Sequence, residues 1–418
     1  MTRSLPIAAL ISVLAAVAYA QSPAEDPFAT PQLAQMPAAP PSTGTFTVGG
    51  FVDVGYINIT QSKVPGPGGA ISWAYGNSQF GFASAVDTFT VNQLNLTLAA
   101  ERELGSMEVG AVGSISFYPS RDVEAYGNGN SDRPYQVDRA YLFTEWPSAW
   151  STRVQAGRWP GFLTLEQQES APPDFRLIGH TYVFQAGGGY PYGLSVFTTP
   201  YAGITLKASV SNGGVGDYSF YPGDRSTTNL AVANDRVQKG AGADKANGKT
   251  GSLALEWVLF DRPAGAGTLR IGGGGADNPS LTYNTVKQRS EPYSFTNLYA
   301  DYQLGSWELR TESATLRAYY TGGLGLFQAS MYSVLISFEA GANHLVTLRG
   351  EGIAYRSDKY DEQGQGTKAG VTYRYRMAPP MVLKLEYVEE TQTPQFWQAS
   401  RGKALVTDVV AVSWVYAF

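Results

Sequence analysis

From Thr45 onward the chain alternates apolar with polar residues in short segments, and clusters of Gly, Asn, Asp or Pro punctuate them. In 92–98, Leu94, Leu96 and Leu98 share one face while Gln93, Asn95 and Thr97 share the other. In 381–388, Met381, Leu383, Leu385 and Tyr387 stand opposite Lys384 and Glu386. In 371–376, Val371, Tyr373 and Tyr375 oppose Thr372, Arg374 and Arg376. Successive Cβ atoms leave a strand on opposite sides, so a period of two means strand. No window of useful length carries a helical stripe. The strand-like segments fall at 45–59, 88–101, 105–118, 135–146, 150–159, 189–200, 202–212, 249–260, 266–277, 294–304, 305–319, 328–340, 342–356, 366–378, 381–391 and 403–418, sixteen in all. Dropping or splitting the ninth and eleventh would give fourteen or eighteen.

Two all-β architectures alternate in this way. A soluble sandwich packs one strand face into a core where charge is rare. Here the polar face carries many charges, and the apolar face sets rings near strand ends: Tyr56, Phe117, Trp146, Trp257, Trp307 and Tyr387. Rings there suit the two interfacial girdles of a transmembrane β-barrel, whose strands need about 9–11 residues to cross. The last segment decides between the two. Val410, Val412, Trp414, Tyr416 and Phe418 share one face, and Phe418 is the terminal residue. Such a strand resembles the C-terminal sorting signal of bacterial outer-membrane proteins, here Trp414, Tyr416 and Phe418, read by the barrel-assembly machinery. Short links at 304–306, 340–342 and 377–380 read as periplasmic turns; long polar ones at 60–87, 119–134, 213–248 and 356–366 read as external loops. The fold expected is all-β: a transmembrane, antiparallel, up-and-down β-barrel of about sixteen strands over residues 45–418.

The first twenty residues read as an address. Arg3 precedes an apolar run from Leu5 to Val17, and Ala18-Tyr19-Ala20 offers a cleavage site for a signal peptidase. Residues 21–44, rich in Pro and Ala, read as a flexible periplasmic lead. Together with the barrel they place the protein in the outer membrane of a Gram-negative bacterium, in contact with lipid and lipopolysaccharide. Composition narrows the chemistry. The absence of cysteine excludes disulfides, thiolate metal sites and thiol nucleophiles. Two histidines leave little for metal or base catalysis, and a net charge of −5 gives no footprint for nucleic acid. No cofactor or metal is expected.

One stretch says more. YQVDRAYLFTEWP (135–147), VQAGRWPGFLTLEQQES (154–170), FRLIGHTYVF (175–184) and YPYGLSVFTTPYAGITLKASVSNGG (190–214) follow in that order. They resemble the β-barrel porin-2 family, in which a strand ending in Gly-Lys or Gly-Arg leads into a long inward segment containing a Glu. A Pro-initiated strand and an Asn-Gly follow. The matching residues are Gly157-Arg158, Glu166 or Glu169, Gly193 after Pro191, and Asn212-Gly213. Proline and glycine stand closer here than in the family, and its Trp-Asp after Asn-Gly is missing. The resemblance covers the middle third of the chain and implies a passive channel.

A sixteen-stranded barrel is wide enough to hold water, and small hydrophilic solutes or ions would then diffuse through under the field of lining charges. Strand phase points Asp53, Glu108, Arg153, Lys207, Glu256, Asp301, Glu308, Arg310, Glu312, Arg349, Glu351, Arg374, Arg376, Lys384 and Glu386 inward. Segment 160–188 is too long for a turn and contains Pro172-Pro173, so it reads as a constriction loop folded into the barrel, with Glu166, Glu169, Asp174 and Arg176 its charged members. Arg349, Arg374, Arg376 and Lys384 could form a basic patch across from it. The competing arrangement pairs Arg349 with Glu351 and Lys384 with Glu386 as local wall contacts. A structural or adhesive barrel and an outer-membrane enzyme are the alternative functions. For the enzyme only His180 and His344 are on offer, neither beside an evident nucleophile. A homotrimer is compatible with the barrel, although no flat apolar face for association stands out. The sorting signal is directly testable. Phe418→Asp should cut outer-membrane assembly while leaving export intact, and normal membrane levels of that variant would remove the signal.

Overall fold

The computed structural model describes residues 44–61, 64–65, 71–72, 88–117, 135–147, 150–168, 175–212, 249–262, 267–284, 289–320, 325–357, 362–378, 380–392 and 405–418. The expected export signal 1–20, the lead up to Thr43 and most of the long external links lie outside the described residues, as do Glu169 and Asp174.

Sixteen strands close a single antiparallel barrel. They are β1 Gly44–Gln61, β2 Thr88–Leu104, β3 Met107–Phe117, β4 Tyr135–Trp146 and β5 Thr152–Arg158. Next come β6 Tyr192–Tyr201, β7 Ile204–Asn212, β8 Lys249–Arg262, β9 Gly267–Asn284 and β10 Arg289–Leu304. The last six are β11 Trp307–Tyr320, β12 Gly325–Glu339, β13 His344–Ser357, β14 Glu362–Ala378, β15 Met381–Gln392 and β16 Leu405–Ala417. Each strand pairs with the next, and β16 pairs with β1. Every alternating segment of the sequence is one of these strands. The β9–β10 hairpin runs past its apolar stretch to Asn284 and Arg289, resuming after a register shift between Asn278 and Thr282, because backbone bonds alone can extend a ladder.

Two of the periplasmic-type turns repeat one device. Leu104 pairs with Met107, and Leu304 with Trp307, across the two residues Gly-Ser. A two-residue hairpin of matching twist needs positive φ at its first central position, and Gly105 and Gly305 supply it at 63° and 57°.

Closure leaves no strand edge in lipid, where an unpaired N–H or C=O would find no water. Phe51 stands opposite Ala417 and the register holds to Gln61 and Thr407. Gly50 and Phe418 exchange both backbone bonds at 3.0 Å. A Cβ on Gly50 would fall 2.1 Å from the Asn95 carbonyl oxygen and 2.9 Å from the Phe418 ring, so the terminal ring closes over a position only glycine can fill.

Burial is the reverse of a soluble protein's. Leu298 is 71% exposed and Leu253 59%, while Glu312, Arg349, Glu351, Lys368, Lys384 and Glu386 are buried on the inward phase. The wall is lowest at β5, which stops after seven residues. There Gly157, at φ 129°, faces Gly193 on β6, and a Cβ on Gly157 would lie 2.2 Å from the Ala140 carbonyl oxygen. The chain turns inward after Arg158 and returns at Tyr192. Two backbone bonds across the neck, Trp159 N–H to Pro191 O at 3.2 Å and Gly161 N–H to Gly189 O at 2.7 Å, define the inner loop 159–191.

Gly50→Val leaves the terminal motif untouched but obstructs the seam. It should lower the heat-resistant folded fraction on gels with export unchanged; full folding would deny Gly50 its part in closure.

Candidate functional site

The inner loop crosses the barrel and docks on the inward faces of β8–β15. Its apolar residues Phe162, Leu163, Tyr182, Val183 and Ala186 pack against Ala254, Ala276, Phe295, Leu316 and Met331 of the wall, with Phe197 of β6 at the margin. Polar anchors fix its position. Glu312 accepts from Leu165 N–H at 2.7 Å, and Asn297 donates to Leu163 O at 2.6 Å. Glu351 accepts from Tyr182 N–H at 2.7 Å, the first residue of the short helix α1, Tyr182–Gly187. Glu386 accepts from Ile178 N–H at 2.5 Å and Gly179 N–H at 3.3 Å.

Arg349 joins these anchors. Its side chain is wholly buried, pairs with Glu351, and donates to Glu386 at 2.9 Å. Its remaining donors reach Gly179 O at 3.2 Å and His180 O at 3.1 Å. One planar guanidinium thus satisfies two wall carboxylates and two loop carbonyls, which its fork of five donors permits. Of the two arrangements open in the sequence, the structure has the Arg349–Glu351 contact and adds Glu386 and the loop to it.

Inside the loop, Glu166 opens a 3-10 turn over Glu166–Gln168. His180 Nδ1 lies 2.5 Å from one of its oxygens, and Thr181 donates to the other from N–H at 3.1 Å and from its hydroxyl at 3.0 Å. Phe184 stacks on the imidazole at 4.3 Å. Burial pushes the Glu166 carboxyl up, but the His180 charge and these hydrogen bonds outweigh it, and the group sits below its ordinary pKa. Tyr182 donates to Glu390 at 2.5 Å, and burial followed by the Glu390 charge lifts its phenol well above the usual range, so it stays a neutral donor. Lys368 Nζ sits 3.7 Å above the Tyr182 ring, a cation–π contact.

The lower wall carries a ladder of alternating charge. Lys207, Glu256, Arg270, Asp301, Arg310 and Glu308 run across β7–β11 with N···O separations from 2.7 to 3.7 Å. Arg176 ends it, gripping Glu308 with two bonds of 2.6 and 2.7 Å. Gln168 joins the loop to the same ladder through Arg270 at 2.7 Å and Tyr299 at 3.3 Å.

The residues singled out in the sequence therefore occupy different places. Glu166, Arg176 and Arg349 belong to the loop and its anchorage. Lys384 is buried on β15 with Nζ 5.8 Å from the Phe175 ring. Arg374 stands opposite Lys384 in register and lines a cavity of about 40 Å³ with Arg176, Glu308 and Ser337. Arg376 is exposed two residues nearer the end of β14. Trp414, Tyr416 and Phe418 point outward, each about half exposed. Lys368, Tyr182 and Glu390 were not singled out, and a tyrosine beside a buried lysine leaves no mark in strand alternation. Among the described residues no group of three or more His, Asp or Glu is placed to hold a metal ion.

Arg349→Met would leave Glu351 and Glu386 buried without their cation, a loss of about 3–5 kcal/mol. Val183, fully buried where the loop meets the wall, gives the readout. A Val183→Cys thiol should resist maleimide at pH 7 and react quickly once Arg349→Met is added, with the barrel still folded. The Glu166 contribution is complete above about pH 4.3, its unfolded pKa, and is lost as pH falls through its lower folded value. Protection of that thiol, read with an acid-active pyridyl disulfide, should accordingly weaken in acid and not in mild alkali. Equal protection in both backgrounds would show that Arg349 does not hold the loop.

No protein-family model matches the chain, and no curated protein matches it in sequence. Solved structures do match its fold. The trimer form of OmpT, an outer membrane protein of Vibrio cholerae, is 12% identical with a TM-score of 0.55, covering 90% of this chain and 99% of its own. The outer membrane channel DcaP of Acinetobacter baumannii is 14% identical with a TM-score of 0.55, covering 90% and 97%. An anion-selective porin from Comamonas acidovorans is 13% identical with a TM-score of 0.55, covering 90% and 100%. At these identities the likeness is one of fold, and the chain has the fold of outer-membrane porins: a closed, sixteen-stranded antiparallel barrel.

Proposed function

We propose that this barrel is a porin, a water-filled passage through which small hydrophilic solutes or ions diffuse passively. The observation that carries the reading is a closed barrel with its charges on the inner face and a loop fastened across its interior by Arg349. A barrel serving only as a structural or adhesive wall has no use for an internal loop with so many anchors. Inward charge sets selectivity in such a passage, because the ion meets fixed charges within a screening length of about 8 Å.

The finer expectations from the sequence belong to the same reading. Export by residues 1–20, sorting by Trp414, Tyr416 and Phe418, contact with lipopolysaccharide and a homotrimeric assembly are its cellular side. Kinship with the porin-2 family is supported by Gly157 and Gly193, which face each other where the chain leaves and rejoins the wall. Within the passage, Arg374 and Arg376 are the candidates for selectivity. They share the inward face of β14 below the loop anchors, and Arg376 is exposed. Arg349 and Lys384 would act at one remove, by holding the loop.

Single-channel recording in a planar bilayer tests the reading. Purified protein should give discrete, ohmic steps, and a folded barrel that passes no current would leave the structural role standing. In the conducting protein, replacing Arg374 and Arg376 together with Ala should move the reversal potential in a salt gradient towards cations and raise conductance slightly. A double variant that matches the parent at low salt would take both arginines off the solute's path.

A further inference from the structure

The outer surface of the barrel changes character on one side. On β11 the outward residues begin with Trp307 and Leu309 and continue with Thr311, Ser313, Thr315 and Arg317, all four exposed. Thr311 to Thr315 lie roughly 10–20 Å from the Trp307 end of a tilted strand, inside an apolar band about 25 Å tall. Neighbouring strands repeat the change in register. The row through Thr315 holds Gly275, Thr296, Ser330 and Ala354; the row through Ser313 holds Gly273, Leu298, Tyr332 and Gly352. On β8 and β16 the outward residues at a similar distance from the turns are large and apolar: Leu253 and Leu255, Val410 and Val412.

The inner faces of these strands account for half of the change. Phe295, Ala314, Leu316 and Met331 point inward to receive the loop, so the two faces have exchanged polarity. Nothing about the loop requires hydroxyls outside. A lipid chain offers no partner to a hydroxyl, and Thr296 and Thr315 already turn to each other at 2.6 Å. Another protein wall does offer partners. Small residues let two backbones approach, and serine and threonine both donate and accept, so such a surface is complementary to itself. The Tyr332 ring lies over Gly352, where a Cβ would come within 2.3 Å of it, so the ring folds along the wall and Leu298 is the large side chain that projects from this row.

Charge selects the partner. Asp277 on β9 and Arg317 on β11 are both exposed and flank Ser294 of β10 in one register row. A rotation axis normal to the membrane and in front of β10 brings Asp277 of each copy towards Arg317 of the partner subunit, whether two or three copies close the ring. We propose that the outward face of β9–β13 is the surface on which a second copy of this chain docks, through hydroxyl and glycine contacts and an Asp277–Arg317 pair between subunits. The docking face stands apart from the lumen, and conduction does not enter its test.

The chain has no cysteine, so a single introduced thiol reports alone. Thr296→Cys lies beside the inferred axis, and Leu255→Cys on the adjoining wall is the control. In native outer membranes a short bis-maleimide should join the Thr296→Cys protein into covalent pairs of twice the chain mass and leave the Leu255→Cys protein single. In the Thr296→Cys background, Asp277→Arg and Arg317→Asp should each lower the paired fraction at least fivefold, and the two together should restore it. A folded Thr296→Cys barrel that stays single would overturn the proposal and give the face to lipid. A product of another mass would give it to a different membrane protein. Single charge reversals that leave pairing unchanged would refute the Asp277–Arg317 contact.

Discussion

A buried arginine held between two carboxylates organises the interior of this barrel. Arg349 lies on β13, Glu351 two residues further along, and Glu386 two strands away, and all three side chains are fully buried. Removing such charges from water costs several kcal/mol per ion, and attraction offsets it only if the spare donors and acceptors are used. Here the loop uses them. The Gly179 and His180 carbonyls take the remaining guanidinium donors, and the N–H groups of Ile178, Gly179 and Tyr182 go to the carboxylates. The loop needs the triad to satisfy its backbone, and the triad needs the loop to complete its shell. Neither is stable in this form without the other.

That mutual dependence accounts for features far from Arg349. An occupied interior needs apolar wall where the loop's apolar residues land, hence Phe295, Leu316 and Met331 pointing inward. It needs an entrance, hence a strand of only seven residues at β5 and paired glycines at its end. It also needs the middle of the loop held in rotation as well as in depth. The Arg176–Glu308 and Gln168–Arg270 contacts do this by joining the loop to the charge ladder on β7–β11.

The sequence disclosed the wall more fully than its contents. Alternation places every strand, because lipid and lumen impose opposite demands on successive residues. The loop was visible as a segment too long for a turn, and its charged members were visible as residue types. Partners two residues apart on one strand, such as Arg349 and Glu351, could be read from the sequence; partners on other strands or in the loop could not. Glu351 and Glu386 look alike in alternation, yet Arg349 contacts both, and it is the register across the intervening strand β14 that lets residues 37 apart in sequence share a bond of 2.9 Å. Lys368 sits over the Tyr182 ring, a contact that leaves no trace in charge patterning. His180, which the sequence sets beside no evident nucleophile, holds Glu166 in place.

The upper part of β9–β13 shows why alternation alone can mislead about which face is which. In 311–318 the sequence TESATLRA puts Thr311, Ser313, Thr315 and Arg317 on one side and Glu312, Ala314, Leu316 and Ala318 on the other. Read in isolation, the apolar side would be assigned to lipid. Register with Trp307 and Leu309 assigns it to the interior, because phase cannot change within a strand that has no bulge, and the β11 pairing runs unbroken on both sides. The hydrophobic phase of a barrel strand reports what each face touches, and lipid is one of several things a face can touch. Where a loop fills the lumen, apolar residues turn inward. Where polar residues remain outward at the same height, the surface is suited to a partner that can hydrogen-bond.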